Sequence, residues 1–329
     1  MNVEPTATPS LSDDEVTLTD WLELNAFFNE FHVARLDTID AILGEQAEEH
    51  NDDFGESDRD KERIRESIEN EIDERIKGCE GAYPFELSND GEELTLKENW
   101  REDTYGFYIA CLLTTHLSKK SLLDYDVQSQ LIQILRNRIF QVISVFAMAG
   151  WNNGSAASIG WPRKNGNTIL ETLNRAAHRG AGIDPRKAPG KYTAPLEKDG
   201  GIDVISWSVE DRPPPTRFSY GQVASGRNWR GKPVSVHVRT FEQNYIDMRH
   251  CGDVTSATLI PFRIIDVKTW MSEHTSHGTI LDRTRIPKYA TKAIQILQNG
   301  IEFDEANGLP EIADWIQAMR ADGLNPGGR

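Results

Sequence analysis

A carboxylate and an amide on two successive β-type runs offer the clearest chemistry in this sequence. The run D-G-G-I-D-V-I sets Asp203 between Ile202 and Val204, and Gln222 lies in a second β-type run, residues 218–224, beyond a proline-rich break. An acid among apolar neighbours needs a cation, hydrogen-bond donors or a raised pKa. If the two runs pair as strands, the acid and the amide oxygen point into one space. Such oxygens, together with water, hold hard divalent cations such as Mg²⁺.

These residues also resemble a known family. The run D-G-G-I-D followed by a strand that carries Gln resembles the PD-(D/E)XK nuclease superfamily, most closely its Mrr-like restriction endonucleases. In that family the second Asp of such a run and a later Gln-x-Lys form the metal site. Asp203 matches the Asp and Gln222 matches the Gln, whereas Ala224 occupies the Lys position. The resemblance covers roughly residues 168–265, under a third of the chain.

The resemblance implies both a fold and an activity. The implied fold is α/β, a restriction-endonuclease-like mixed sheet flanked by helices, in the core order helix, strand, strand, strand, helix, strand. The implied activity is a DNA endonuclease that uses Mg²⁺ or Mn²⁺, in prokaryotic restriction or anti-phage defence. Glu171 has two interpretations. Its spacing from Thr168 fits a reciprocal helix cap, and the family's first core helix often lends a Glu to the metal site.

The ammonium group of the family motif is missing, so another cation has to be found near the site. Lys232, on the segment after the Gln222 run, is our candidate, because the Lys migrates to a neighbouring element in some members of the superfamily. Arg227 stays charged and cannot easily transfer a proton. Arg227 and Arg230 are also candidates for phosphate contact, and Trp229 for base stacking. The alternative is that the cations simply lie on a surface turn.

A zinc site is a weaker hypothesis. His274-x-x-His277, with His250 and Cys251 upstream, contains ligand types that zinc accepts. Paired Cys spacing is absent, however, and the two histidines lie in a run rich in Ser and Thr. We therefore expect them to be exposed loop residues.

Charge is unevenly distributed along the chain, whose formal net charge is -16. The first 100 residues carry 29 acidic and 8 basic side chains, and the remainder carries 23 acidic and 28 basic ones. The sequence thus predicts an acidic, mostly helical domain over residues 1–150, which we expect to be a partner-binding or regulatory module. A nuclease domain with C-terminal helices is predicted to follow over residues 151–329. Its mildly positive net charge is compatible with binding the phosphates of DNA. The boundary is expected in a loop at residues 151–155.

Hydrophobic periodicity predicts the remaining elements. The charged run 61–77, which includes Arg75, is expected to form a helix with a solvated face. A short strand is expected at Leu94, and the run from Val234 fits either a helix or a strand. Residues 257–265 are expected to form a buried strand near a sheet edge because of Pro261. Further helices are predicted at residues 17–36, 104–117, 127–148, 289–297 and 310–319.

Composition limits the class of protein. With no apolar run near twenty residues and no secretory-type start, we expect no membrane span. Three scattered cysteines indicate a reducing, cytoplasmic setting. The oligomeric state stays open, a homo-oligomer being one of the forms considered. The alternative function is a catalytically inactive nuclease fold that serves a defence complex as a nucleic-acid or protein binding module, for which Ala224 is the main support.

Overall fold

The chain divides into two compact units. The computed structural model describes residues 6–10, 12–49, 58–118, 122–160, 168–191, 193–194, 198–226, 228–231 and 233–325. Unit 1 comprises Met1–Ile132 and Ala313–Arg329, and unit 2 comprises Gln133–Ile312. The division therefore falls at residue 132 instead of 150, because the helix before residue 152 packs on the sheet of unit 2. The C-terminal segment belongs to unit 1, not to the predicted nuclease domain.

Unit 1 consists of helices and a small antiparallel sheet with strand order β1-β3-β2. Its described elements are α1 (Glu15–Phe28), β1 (Val33–Arg35), α2 (Leu36–Glu49), α3 (Asp58–Cys79), β2 (Phe85–Leu87), β3 (Glu93–Leu96) and α4 (Asp103–Ser118). The predicted helices at residues 61–77 and 104–117 and the strand at Leu94 are confirmed. The first predicted helix ends early, at Phe28, and Leu36 begins the next helix instead.

The core of unit 1 contains a buried cluster of charges. Arg75 on α3 is fully buried, not part of a solvated face as predicted. Its Nη1 atom lies 2.8 Å from Asp20 Oδ1 and 2.8 Å from Glu23 Oε1, and its Nε lies 2.7 Å from Glu71 Oε1. The Tyr108 hydroxyl donates to Glu23 Oε1 at 2.8 Å. One guanidinium thus joins carboxylates from α1 and α3, which are costly to bury without a cation.

Unit 2 is built around a five-stranded mixed sheet with the order β10-β9-β7-β6-β4. Strand β6 is antiparallel to both neighbours, whereas β7, β9 and β10 run parallel. A separate antiparallel pair joins β5 and β8. The strands are β4 (Gly154–Ser158), β5 (Ile183–Pro185), β6 (Val204–Ser208), β7 (Arg217–Val223), β8 (Ile246–Arg249), β9 (Asp253–Leu259) and β10 (Thr279–Leu281).

Helices cover both faces of this sheet, so unit 2 has an α/β/α layering. The remaining described helices are α5 (Ser129–Ile134), α6 (Phe140–Asn152), α7 (Ile169–His178), α8 (Ser235–Tyr245), α9 (Val267–His277), α10 (Arg285–Gln298) and α11 (Leu309–Leu324). Helices α6 to α10 belong to unit 2, whereas most of α5 and most of α11 belong to unit 1. On one face Trp207 and Tyr220 share a buried cluster with Leu173 and Phe241. On the other, Asn152 donates to Ser206 and Ser219, and α6 packs against α10.

Strand β4 replaces the predicted boundary loop. The run G-S-A-A-S has little β propensity, yet all five residues are buried and pair with β6. A Cβ on Gly154 would lie 2.2 Å from the Trp207 carbonyl oxygen, so the close approach of the strands requires a small residue there. The local sequence resembles a loop because tertiary packing selects its small residues.

The structure decides two further expectations, one about the position of a strand and one between a helix and a strand. Strand β9 lies between β7 and β10, so the expectation of an edge strand is wrong; Pro261 follows the strand instead of interrupting it. The run from Val234 adopts the helical alternative, as α8. The predicted helices near both 289–297 and 310–319 are confirmed as α10 and α11.

One helical stretch, Ser129–Asn152, is long and apolar enough to span a membrane, with a mean hydropathy of 1.3. It comprises α5, a π-helical turn (Leu135–Ile139) and α6. Most of it is buried inside the protein, and the core helix of a folded domain passes the same test. The packing of α6 on β4, β6 and β7 accounts for its apolar composition, so this is weak evidence for a membrane span.

The buried cluster predicts that Arg75→Met destabilises unit 1 by about 3–5 kcal/mol, because removing the guanidinium leaves buried carboxylates without their cation. Lys77→Met is the matched control, since Lys77 is on the same helix with its side chain 69% exposed, and should change stability by less than about 0.5 kcal/mol. Urea unfolding followed by circular dichroism measures both. Equal stabilities for the two variants would contradict the role given to Arg75.

Candidate functional site

A glycine turn delivers Asp203 to the start of β6. The Asp199 carboxylate accepts a hydrogen bond from Gly201 N at 2.8 Å, which closes the turn. Gly200 and Gly201 have φ values of 66° and 79°, in the region that favours glycine. A Cβ on Gly201 would lie 2.3 Å from the His237 ring on α8. The double glycine therefore lets the turn adopt its conformation and pack on α8 at once.

The main chain of Asp203 is fixed from two sides. Its N–H donates to the Gly221 carbonyl of β7 at 2.9 Å. Its carbonyl accepts from Ile159 N and Gly160 N, both at 2.8 Å, and from Gln141 Nε2 on α6 at 3.0 Å. Asp203 thus connects β7 with the segment that follows β4, and its position is set by these two parts of the chain and by α6.

The carboxylate of Asp203 meets Gln222, as the strand pairing predicts. Strands β6 and β7 are antiparallel, with Val204 opposite Gly221. Asp203 Oδ2 accepts a hydrogen bond from the Gln222 amide nitrogen and another, at 2.8 Å, from Val223 N. Both side chains are half-buried. Two donors from β7 therefore orient one carboxylate oxygen.

This donor set fits a hard cation only in part. One carboxylate is present, and the Gln222 amide turns its nitrogen towards Asp203; turning the amide over would present oxygen instead. Among the described residues, no group of three His, Cys, Asp or Glu side chains could hold a metal. Mg²⁺ nevertheless needs few protein ligands when water and phosphate complete its octahedron. Asp203 and Gln222 could hold such an ion together with a phosphate-bearing substrate.

Glu171 acts as a helix cap. Thr168 Oγ1 accepts from Glu171 N at 3.2 Å, and Glu171 Oε2 accepts from Thr168 N at 2.6 Å. The backbone and side-chain hydrogen bonds from Thr168 lower the pKa of this exposed carboxyl. The capping interpretation of the sequence is confirmed, and the metal-binding role of Glu171 stays a prediction.

Gln141 is a site residue that the sequence analysis missed. Its amide nitrogen lies 3.0 Å from both Ser158 Oγ and the Asp203 carbonyl oxygen. A Cβ on Gly160 would lie 2.9 Å from the same amide, so Gly160 leaves room for it. The sequence feature that could have identified it is a polar residue within the apolar stretch F-Q-V-I-S-V-F, on the first turn of α6.

The segment after β7 differs from its predicted role. Trp229 is 1% exposed and packs in an apolar cluster with Ala224, Ile260 and Phe262, so burial keeps its ring from stacking on bases. Arg230 is exposed, lies over the Trp229 ring at 4.5 Å, and forms an ion pair with a carboxylate on α9. Arg227 and Lys232 lie outside the described residues, so their predicted roles stay predictions.

The two histidines expected in a loop lie on α9, and His277 is buried. The His274 ring packs against Trp270, with ring centroids 4.4 Å apart, and Arg285 lies over that indole at 4.2 Å. The His277 ring lies 5.1 Å from the Trp229 ring. Each imidazole is thus packed against an indole that also carries a guanidinium, and the expectation of exposed loop histidines is wrong.

No family model, no curated protein and no solved structure matches this chain.

The histidine packing predicts a pH-dependent stability. Burial, and then the charge of Arg285, lowers the pKa of His274 below 6.5; burial lowers that of His277, with Glu273 opposing and Arg230 adding to the effect. Because the folded state then binds fewer protons than the unfolded state, this stability is present above pH ~6.5 and is lost as the pH falls below it. Urea unfolding as a function of pH should lose less stability on acidification in His274→Gln/His277→Gln than in the parent protein. Parallel curves for the two proteins would contradict the assignment.

Proposed function

We propose that this protein is a PD-(D/E)XK-like, metal-dependent DNA endonuclease that hydrolyses phosphodiester bonds. The observation that carries the proposal is the contact of Asp203 with Gln222 across the β6–β7 pair, at the positions where the family motif has its acid and its Gln. The glycine turn before Asp203 supports it, since the D-G-G-I-D run has a conformation that requires its two glycines.

The order of elements in unit 2 supports the same proposal. Helix α6 precedes β4, β6 and β7, helix α8 follows, and β9 then runs parallel to β7. If α7, β5 and β8 are counted as additions, and if α6 and β4, which precede residues 168–265, are included, this is the order helix, strand, strand, strand, helix, strand that the resemblance implies. In this arrangement the first core helix is α6 and not the helix that carries Glu171.

Each residue of the site would have a distinct role in the proposed reaction. Asp203 and Gln222 would hold Mg²⁺ or Mn²⁺, and Gln141 would keep the main chain of Asp203 in place. When bound, the metal would polarise the phosphodiester and activate water. Lys232 would supply the ammonium group that the motif lacks at Ala224. Arg230, with its planar guanidinium held over Trp229, would contact the DNA phosphates.

A second candidate function is a catalytically inactive nuclease fold that binds nucleic acid or protein. Ala224 favours it, because this position is buried in an apolar cluster, where an ammonium group would be costly to place. The hydrogen bonds that two donors of β7 make to Asp203 also suit a structural carboxylate. Restriction or anti-phage defence is the proposed setting for both functions.

A cytoplasmic location and a protein partner belong to the same proposal. The chain has three cysteines, Cys79, Cys111 and Cys251, of which the first two are buried, and so small a number suits a reducing compartment. Unit 1 carries 35 acidic and 13 basic side chains, so a basic partner is the natural candidate for its surface. Unit 2 carries 17 acidic and 23 basic ones and is the natural candidate for DNA.

Plasmid cleavage with Mg²⁺ or Mn²⁺ separates the two candidate functions. Asp203→Asn should reduce the rate ~100-fold or more, because it removes the carboxylate ligand. Asp199→Asn, which changes an acid to an amide in the same turn and keeps an acceptor for Gly201 N, should cleave at close to the parent rate. Equal cleavage by all three proteins would point to a contaminating nuclease. No cleavage by any of them would favour the binding module.

Neutralising the acids on the exposed face of α3 tests the regulatory role of unit 1. The residues to change to Gln or Asn are Glu62, Glu66, Glu69 and Asp73. DNA affinity should rise, and the gain should shrink at high salt, because these charges repel DNA through screened electrostatics. This design keeps α6 on the sheet, which deletion of residues 1–150 would not. Unchanged affinity at low salt would contradict a repulsive role.

A further inference from the structure

The strand directions in unit 2 bring several arginines to the edge of the sheet where Asp203 lies. Strands β7, β9 and β10 are parallel, so their carboxyl ends share one edge. Strand β6 is antiparallel to β7 and therefore begins at that edge, directly after Asp203. The residues that follow the three carboxyl ends include four arginines in the described chain, Arg230, Arg263, Arg283 and Arg285. We call them the strand-end arginines.

The opposite edge of the same sheet has a different charge. The connection that follows β6 carries Glu210, Asp211 and Arg212, and β9 begins at Asp253. With Arg217, the first residue of β7, these positions carry three acidic and two basic side chains, whereas the described residues that follow the carboxyl ends of β7, β9 and β10 carry four arginines and two acids, Asp266 and Asp282. Ligands of open α/β sheets bind outside the carboxyl ends of parallel strands, so the basic edge is also the edge where the fold accommodates a ligand.

Arg285 is held in a geometry suited to phosphate. Its guanidinium lies over Trp270, 4.2 Å from the ring centroid, and its Nη1 donates to the buried carboxylate of Asp282 at 3.2 Å. The same carboxylate also faces Arg263, at 3.5 Å. The backbone N of Arg285 also donates to Asp282, but among the described residues no other hydrogen bond of the Arg285 side chain is found, so Nε and Nη2 remain available to a ligand. An indole face and one carboxylate fix a planar fork that matches two phosphate oxygens.

Arg230 repeats this arrangement after β7, which is separated from β10 by β9. It lies over Trp229 at 4.5 Å and is paired with Glu273 of α9, and its side chain is 52% exposed. Helix α9 carries both Trp270 and Glu273, so it forms part of the support of both guanidinium groups. Two arginines stacked on indoles thus lie at the carboxyl ends of β7 and β10, on the edge that presents Asp203.

We propose that Arg230 and Arg285 form a docking track for the phosphodiester backbone of duplex DNA, which crosses the carboxyl ends of β7, β9 and β10 on the α9 side of Asp203. The proposal rests on the proposed function and adds to it the path that the bound DNA follows away from Asp203. It assigns a binding role to Arg285 and a supporting role to Trp270. Arg263 and Arg283, which are largely or fully buried, contribute positive potential and not direct contacts.

The test measures binding of fluorescein-labelled duplex DNA by anisotropy at several salt concentrations, in EDTA, with the full chain. Arg230→Gln and Arg285→Gln should each weaken binding and reduce the slope of log K against log salt by about 1, and the double variant by about 2. The Arg→Lys variants keep the charge and should keep most of the slope. Arg212→Gln, at the opposite edge, is the matched control and should change neither quantity.

A further variant is expected to raise DNA affinity, whereas the arginine variants are expected to lower it. Glu273→Gln removes the carboxylate that pairs with Arg230, so it should raise DNA affinity, a result that misfolding does not produce. Equal affinities and slopes for the Arg230, Arg285 and Arg212 variants, all with parent-like thermal unfolding, would overturn the docking track. So would absence of duplex binding by the parent protein at low salt.

Cleavage assays keep this inference distinct from the endonuclease proposal. If the arginine variants lose DNA binding and the parent protein binds but does not cleave with Mg²⁺ or Mn²⁺, the docking track stands and the endonuclease proposal fails. If the parent cleaves in a manner that depends on Asp203 while the arginine variants bind normally, the endonuclease proposal stands and the docking track fails.

Discussion

The hydrogen bonds of Asp203 are the constraint on which the candidate site depends. Its N–H pairs with β7, its carbonyl accepts from the segment after β4 and from Gln141, and its carboxylate accepts from Gln222 and Val223. One residue thus connects the strand on each side of β6. Because β7 holds the carboxylate and the N–H, while α6 and the segment after β4 hold the carbonyl, the carboxylate has little freedom to turn away from the sheet edge. The glycine turn before it makes this geometry sterically accessible.

Sequence reasoning predicted the parts of this arrangement that local patterns determine. The β-type runs that include Val204 and Phe218 indicated two strands, and their pairing brings Asp203 and Gln222 together. The capping box at Thr168 was equally local. What it missed depends on tertiary packing: β4 is made of small residues because β6 approaches closely, and Trp229 is buried because a distant strand covers it. Gln141 joins the site from a helix more than sixty residues away in sequence, which no local pattern reports.

The distribution of charged side chains also depends on tertiary structure. Counted by unit, the net charges are -22 (13 basic minus 35 acidic) and +6 (23 minus 17), close to the -21 and +5 of the two sequence segments, because the C-terminal segment that joins unit 1 carries two acidic and two basic side chains. Sequence spacing suggested that the charges of α3 pair in solvent, yet Arg75 is buried among carboxylates of two helices. Buried charges need partners in fixed positions, whereas surface charges act at a distance and are screened by salt. The same residue types therefore stabilise the core of unit 1 and, in the docking track that we propose, would attract DNA to the edge of unit 2.

The burial of Ala224 bears directly on how the proposed enzyme would obtain its positive charge. After Val223 the chain leaves β7, and Ala224 enters an apolar cluster with Trp229 and Ile260. A Lys at this position would have to extend out of that cluster, so the packing itself favours a cation from another segment. Arginines at the strand ends can stabilise phosphate charge, but they stay protonated and cannot transfer a proton. Binding of the phosphate backbone and proton transfer would therefore be separate requirements in the proposed enzyme: the arginines would meet the first, and a lysine such as Lys232 or a bound water would have to meet the second.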